Sequence, residues 1–485
     1  MGTNARRVVA ALAVGWVATA CTAAGARPPI GPSAQRTPGV VPTPTGPSGP
    51  VGAVGPAGAV GPGGATATTV GSTTTNAPPA LAGALDAQLA GIDSCLVVTD
   101  PSTGAVLYAH DADTALAAAS AQKLVVAAAA LDRLGPDYRF TTTVVAAAAP
   151  ADGTVDDLWL VGGGDPLLAS PEYITALAAI PATVGYPTTP LAVLAAQLRA
   201  AGVRTVRRGI HGDDSRYEAL RFLPTWAPSI NHDELDVGPL SALEVDQGLD
   251  RWHPAQLTVD PPGHAAGVLA RLLTGPGVTA AQGADGTAPA HAVVLASVRS
   301  APLADIVAGM LRTSDNQVAE LLVRELDRAA GGRGTTAGGV QVVMAAAAGL
   351  GLPVAGLDLV DGSGLSRSDR VSCRTLLAAL ELGDHPGFGA LVSGLPVAGV
   401  SGTLAPLWKG TPLAGRLAAK GGYISGVTAL VGRLSGPTPR HFALVADGTF
   451  GFSDGLGLAE RVAEIVAGLP AVAPPTATAG TTLVP

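Results

Sequence analysis

From residue 80 onward the chain alternates between two hydrophobic rhythms. Leu81 to Ala90 places apolar residues at helical spacing. Ser94 to Asp100 and Ala105 to Ala109 are short apolar runs on either side of Pro101-Ser102-Thr103-Gly104, which predicts a β-hairpin. An alanine-rich run from Leu124 to Leu131 reads as a helix. Strands are predicted at Thr141–Ala146 and Trp159–Val161, and a strand ends at Gly209–Asp214. Residues 190–201 and His264 to Leu273 carry helical patterns around an irregular stretch, 221–260. Val293 to Val298 reads as a strand. From Leu303 the pattern is helical, is broken at Thr313-Ser314-Asp315-Asn316-Gln317 by residues that favour caps and turns, and resumes through Arg328. Residues 338–349 and 372–382 are further helices. Thr428–Leu434 and His441–Ala446 form a strand pair, and Leu456 to Leu469 closes the chain as a helix.

The ends differ in kind. Residues 1–26 read as an export leader, with Arg6 and Arg7 before an apolar stretch from Val8 to Ala20 that is too short for a confident transmembrane helix. Ala18-Thr19-Ala20 and Ala24-Gly25-Ala26 both suit cleavage, and Cys21 leaves lipidation open as a second route. Either way the expected location is outside the cytoplasm, in the cell envelope, with the membrane met only through the N-terminal segment. Residues 27–79 are a Pro/Gly/Thr-rich stretch expected to be a disordered linker, and 471–485 a disordered tail.

A net charge of −8 argues against a nucleic-acid partner. The eight histidines show no zinc-ligand spacing, so no metal or cofactor is expected. Export permits a disulfide between Cys95 and Cys373, and two buried thiols fit the sequence equally well. Gly162-Gly163-Gly164-Asp165-Pro166 lacks a following Lys, and Pro166 removes a helix N–H donor, so it reads as a tight turn and not a phosphate cradle.

The candidate chemistry starts at Ser120-Ala121-Gln122-Lys123. Residues three apart on a helix share a face, so Lys123 can reach Ser120. A serine hydroxyl becomes a nucleophile when a base takes its proton, and a lysine serves as that base when burial or a nearby cation lowers its pKa. Only three of the 29 cationic side chains are lysines: Lys123, Lys409 and Lys420. Arg cannot be deprotonated, so a Lys in such a chain marks a position that needs an amine.

Three pieces follow one another: Ser120-x-x-Lys123, Ser314-Asp315-Asn316 and Lys420-Gly421-Gly422. Together they match the Ser-x-x-Lys, Ser-Asp-Asn, Lys-Thr-Gly signature of penicillin-binding proteins and class A β-lactamases. Gly-Gly-Gly-Asp-Pro, Asp361 to Arg367, Leu395 to Leu404 and Pro239 to Leu243 narrow the likeness. The chain resembles the D-alanyl-D-alanine carboxypeptidase/endopeptidase family of class C low-molecular-mass penicillin-binding proteins, peptidase family S13, over residues 80 to 470.

The resemblance implies an α/β (α+β) fold: a transpeptidase-like domain with a central antiparallel sheet flanked by helices, formed by 80–146 and 291–470, plus an inserted smaller α/β domain at 147–290. It implies a serine acyl-enzyme mechanism on peptidoglycan stem peptides, with β-lactams as covalent inhibitors. Ser120 would be the nucleophile and Lys123 the general base, with the charge of Lys420 helping to keep it neutral. Ser314 would relay a proton, and Asn316 would hold the substrate amide and orient Lys123. Lys420 would face the substrate carboxylate. The N–H groups of Ser120 and Tyr423 would form the oxyanion hole, with Gly421 and Gly422 beside the substrate. Arg367 would face the mouth of the site or sit in a structural turn, and Asp214 would contact a stem-peptide amine or end a strand. Gly421 departs from the family's Thr, which removes a hydroxyl from the carboxylate site. That leaves two alternatives beside the peptidase: a weak or inactive wall-binding member of the fold, and a β-lactamase or esterase.

Overall fold

The computed structural model describes residues 73–232, 236–252 and 255–469. The expected leader, most of the expected linker and the expected tail lie outside them. The strands used below are β1 (Thr73–Thr75), β2 (Asp93–Asp100), β3 (Ala105–His110), β4 (Thr141–Ala146), β5 (Thr154–Val161), β6 (Thr205–Asp213), β7 (Val293–Arg299), β8 (Leu417–Ile424), β9 (Val427–Leu434) and β10 (Arg440–Asp447). The helices are α1 (Pro79–Leu89), α2 (Lys123–Leu134), α3 (Pro171–Ala178), α4 (Ala192–Ala200), α5 (Pro261–Leu273), α6 (Leu303–Thr313), α7 (Asn316–Ala329), α8 (Thr336–Gly349), α9 (Cys373–Glu381) and α10 (Phe452–Ala467).

The main sheet runs β1-β3-β2-β10-β9-β8, antiparallel throughout. Its central strands are apolar at nearly every position because both faces are covered. Cys95 and Val97 join one core, with α2 and the helices around it, while Leu96 and Val98 join the other, with α1 and α10. Successive strand residues point to opposite faces, so one short run feeds two cores. β1 falls in the stretch expected to be linker and pairs with β3.

On the first face, α2 is buried from Lys123 to Leu131 and packs against α7, α8 and α9. Its run of alanines is the reason: small side chains let several helices approach one axis. Cys95 and Cys373 are joined as a disulfide, Cα to Cα 5.8 Å, tying β2 to α9.

A second sheet, β7-β4-β5-β6, pairs β5 and β6 in parallel and packs on α4 and α5. Its strands β4 and β7 lie just outside the 147–290 stretch. The Gly162–Asp165 run, expected to be a tight turn, is an irregular segment bonded to distant chain. Gly162 N–H donates to Asp213 O (2.8 Å) and Gly164 N–H to Ala242 O (2.9 Å).

Candidate active site

The helix expected to carry both Ser120 and Lys123 begins one turn late. Ala119–Gln122 is a 3₁₀ turn, and Lys123 is the first residue of α2. The pair still meets, because side chains at i and i+3 eclipse in a 3₁₀ turn. Ala119 enters that turn at a φ of +45°, a left-handed value that surrounding structure must enforce. Part of the enforcement is the loop from Asp361. Gly364 leaves so little room that a Cβ there would stand 2.1 Å from Ala119 O. The Asp361 carboxylate accepts from Gly364 N–H (2.7 Å), Ser366 N–H (2.8 Å), Gln122 Nε2 (3.0 Å) and the Trp226 indole (2.8 Å).

Lys123 Nζ lies 2.8 Å from Ser120 Oγ, 2.6 Å from Asn316 Oδ1 and 2.6 Å from Ser363 O. Asn316 is oriented by its other end, where Nδ2 donates to Asp236 O at 2.8 Å. Ser363 is oriented by Glu320, whose Oε1 accepts from the N–H groups of Gly362 (3.0 Å) and Ser363 (2.7 Å). Burial pushes the Lys123 ammonium down to about 8, against the pull of Asp361, Glu320, Asp315 and Asp236. Burial, then the Asp361 charge, raises Glu320 to about 8.

α6 ends at Ser314, which stands in the left-handed region at φ +62°, and Asp315 caps α7 by accepting from Val318 N–H at 2.9 Å. The polar interruption seen in the sequence is therefore a C-cap followed at once by an N-cap. It turns Ser314 towards β8, where Lys420 Nζ donates to Ser314 Oγ (2.9 Å) and to Gly421 O (2.6 Å). Lys420 is fully buried. Burial, and then the Lys123 charge, holds it well below the ordinary lysine range. Of the two expected causes, burial lowers Lys123, while the charge effect runs from Lys123 onto Lys420.

β8 passes close to the nucleophile. A Cβ at Gly422 would stand 2.7 Å from Ala118 O and 3.1 Å from Ser120 N, so only glycine lets the strand approach the turn. Tyr423 follows and packs edge-on against Phe452, ring centroids 5.0 Å apart.

The structure thus brings Ser120, Lys123, Ser314, Asn316, Lys420 and Gly422 together. Two expected residues are engaged elsewhere. Arg367 is half exposed and binds Asp447 (2.6 Å) and Ser425 O. Asp214 pairs with Arg221 (2.7 Å) and accepts from Ser241 Oγ (2.9 Å). Sequence reading missed Glu320, Gln122 and the carbonyl of Ser363. Glu320 carried a usable signal: an acidic residue one turn after Asn316, on the buried side of an amphipathic helix.

A protein-family model described as the D-Ala-D-Ala carboxypeptidase 3 (S13) family matches residues 81–254 and 251–467. The chain belongs to this family. It is 33% identical over 446 residues to the D-alanyl-D-alanine carboxypeptidase of Actinomadura sp. (strain R39), covering 76% of this chain and 80% of that one. It is 32% identical over 386 residues to carboxypeptidase DacB of Mycolicibacterium smegmatis, with the same coverage of 76% and 80%. Its fold is similar to the crystal structure of penicillin binding protein 4 (dacB) from Haemophilus influenzae, with a TM-score of 0.66 at 20% identity, covering 79% of this chain and 98% of that one. The family and fold class read from the motifs are borne out.

Proposed function

We propose that this S13 chain cleaves D-Ala-D-Ala or cross-linked stem peptides of peptidoglycan through an acyl-enzyme on Ser120. As a member of the family it is a serine-type D-Ala-D-Ala carboxypeptidase or endopeptidase. The observation that carries the catalytic assignment is the environment of Lys123. Asn316 Oδ1 and Ser363 O can only accept, so they engage two N–H groups of Lys123 whether it is ammonium or amine. The third N–H of the ammonium donates to Ser120 Oγ at 2.8 Å, and once the amine is neutral its lone pair faces that hydroxyl.

In the first step Ser120 Oγ attacks the D-Ala carbonyl carbon and its proton passes to Lys123. The N–H groups of Ser120 and Tyr423 would receive the oxyanion. The proton then reaches the leaving amine through Ser314, and D-Ala departs. Water hydrolyses the ester with the same groups in reverse. In the free enzyme Lys420 is held towards its neutral form by burial. A substrate carboxylate beside it would favour the ammonium and supply the positive end of that contact. Arg367 would exchange Asp447 for an acidic group of the stem peptide. Gly421 and Gly422 would border the substrate. β-Lactams would acylate Ser120; one solved relative, penicillin binding protein 4 of Haemophilus influenzae, is described in complex with a β-lactam.

The inserted domain would span about 141–299, the limits of the second sheet. An exported, envelope location rests on the leader sequence and the wall substrate. Among the described residues no helix is long and apolar enough to cross a membrane. The test is release of free D-Ala from a peptide ending in D-Ala-D-Ala. Release of D-Ala, or cleavage of a cross-linked peptide dimer, by the wild type and neither by Ser120→Ala is expected; the same activity in both proteins, or no wild-type activity on either substrate, contradicts the reading.

A further inference from the structure

The last two residues of the second motif and the glutamine after them are gripped by a part of the chain that carries none of the catalytic groups. Asp315 Oδ2 accepts from Gln247 Nε2 at 2.5 Å and from the Tyr186 hydroxyl. Asn316 Nδ2 donates to Asp236 O at 2.8 Å. Gln317 Oε1 accepts from Gly238 N–H at 2.9 Å, and its Nε2 donates to Glu244 Oε2 at 2.5 Å. Every one of these partners lies between residues 186 and 247, in the expected insert.

The grip is built at a conformational cost. Asp246 and Gln247 both stand in the left-handed region, at φ +56° and +54°. Asp tolerates that region as a single residue, but Gln does not favour it and two in succession are rare, so tertiary contacts must hold the pair. Those contacts are present. The Asp246 carboxylate accepts from Ser170 N–H and Ser170 Oγ, each at 2.7 Å. The Tyr173 hydroxyl donates to Gln247 Oε1 at 3.1 Å, which turns Gln247 Nε2 towards Asp315. The other oxygen of Asp315 caps α7 at Val318 N–H. Asp315 is thus fixed from both sides, directly between Ser314, with its left-handed backbone, and Asn316, which binds Lys123.

We propose that Gln247 and Tyr186 are positioning residues for the reaction: acting through Asp315, they fix the α6–α7 break so that Ser314 meets Lys420 and Asn316 meets Lys123. The insert then serves the chemical step itself. This rests on the reading of Ser120 as nucleophile.

The test compares Tyr186→Phe and Gln247→Leu with Tyr138→Phe. Tyr138 gives its hydroxyl to Glu325 on the same helix α7, at 2.6 Å, away from Asp315. Acylation by a fluorescent penicillin is followed against concentration, with the melting temperature of each variant. Tyr186→Phe and Gln247→Leu are expected to lower the saturating acylation rate by about tenfold or more while the half-saturating concentration stays within about twofold. Tyr138→Phe should lose stability to a similar degree and keep its rate. If Tyr186→Phe and Gln247→Leu lose no more rate than Tyr138→Phe, or lose only affinity, the proposal is overturned. Tyr186→Phe removes one hydroxyl and no bulk, so it decides the matter should Gln247→Leu not fold. A wild type that is not acylated at all would instead remove the Ser120 reading.

Discussion

Lys123 Nζ stands 2.8 Å from Ser120 Oγ with its remaining directions filled by two oxygens that can only accept, Asn316 Oδ1 and Ser363 O. The geometry aims the amine, once it is neutral, at the hydroxyl, inside a site where burial pushes the lysine down from 10.5 to about 8.

That value sets a pH dependence. The base works only when unprotonated, and the unprotonated fraction grows as pH rises through the folded-state pKa. The acylation rate should therefore climb about tenfold per pH unit well below 8 and level off above about 8, since each unit is a factor of ten in the equilibrium. Lys123→Arg keeps the charge and cannot give up its proton. It should lower acylation by about 10²–10⁴-fold and abolish the pH-dependent rise, because this is the range of general base catalysis. A pH profile of acylation at sub-saturating penicillin checks both.

Gly422→Ala tests the approach of β8 to the nucleophile. The new Cβ would meet Ala118 O at 2.7 Å, Ala121 N at 2.9 Å and Ser120 N at 3.1 Å, all backbone atoms that cannot rotate away. Overpacking of this kind costs about 1–3 kcal/mol. Since the atoms displaced belong to the Ser120 turn, acylation should fall along with the melting temperature.

Gly421→Thr tests the departure from the family's third motif. Threonine suits a strand, and its hydroxyl would add a hydrogen bond to the substrate carboxylate beside Lys420. A hydrogen bond to a charged group is worth about 1.5–3 kcal/mol. The kcat/KM for a D-Ala-D-Ala peptide should rise by about tenfold or more. An unchanged value would show that Gly421 is not at the carboxylate site.

The Cys95–Cys373 disulfide joins β2 to α9 across 278 residues of chain. Replacing both cysteines by alanine should cost about 2–5 kcal/mol, measured as a lower denaturant midpoint. The acylation rate at 25 °C should hold, because neither residue touches the Ser120 cluster.

Much of this architecture was legible in the sequence, for identifiable reasons. The central strands of the main sheet are nearly continuous apolar runs because both faces are buried, and the break at Ser314–Asn316 was visible because cap-forming residues interrupt a helical period. Lys123 and Lys420 stood out because arginine fills almost every other cationic position. What was not legible depends on contacts distant in sequence. Glu320 acts on Lys123 through the backbone of Ser363, and no local pattern announces that. The pairing of Asp214 with Arg221 and of Arg367 with Asp447 needed coordinates. So did the choice between a disulfide and two thiols at Cys95 and Cys373. The 3₁₀ turn at Ser120 was read as α-helix because i and i+3 meet in both.

The central claim is that Ser120 is the residue acylated, and it is tested most directly by mass mapping of the adduct formed with a labelled penicillin. The account predicts one label per chain, on the peptide containing Ser120, suppressed by excess D-Ala-D-Ala pentapeptide and absent in Ser120→Ala. No label on the wild type, or a label that persists in Ser120→Ala, would contradict it.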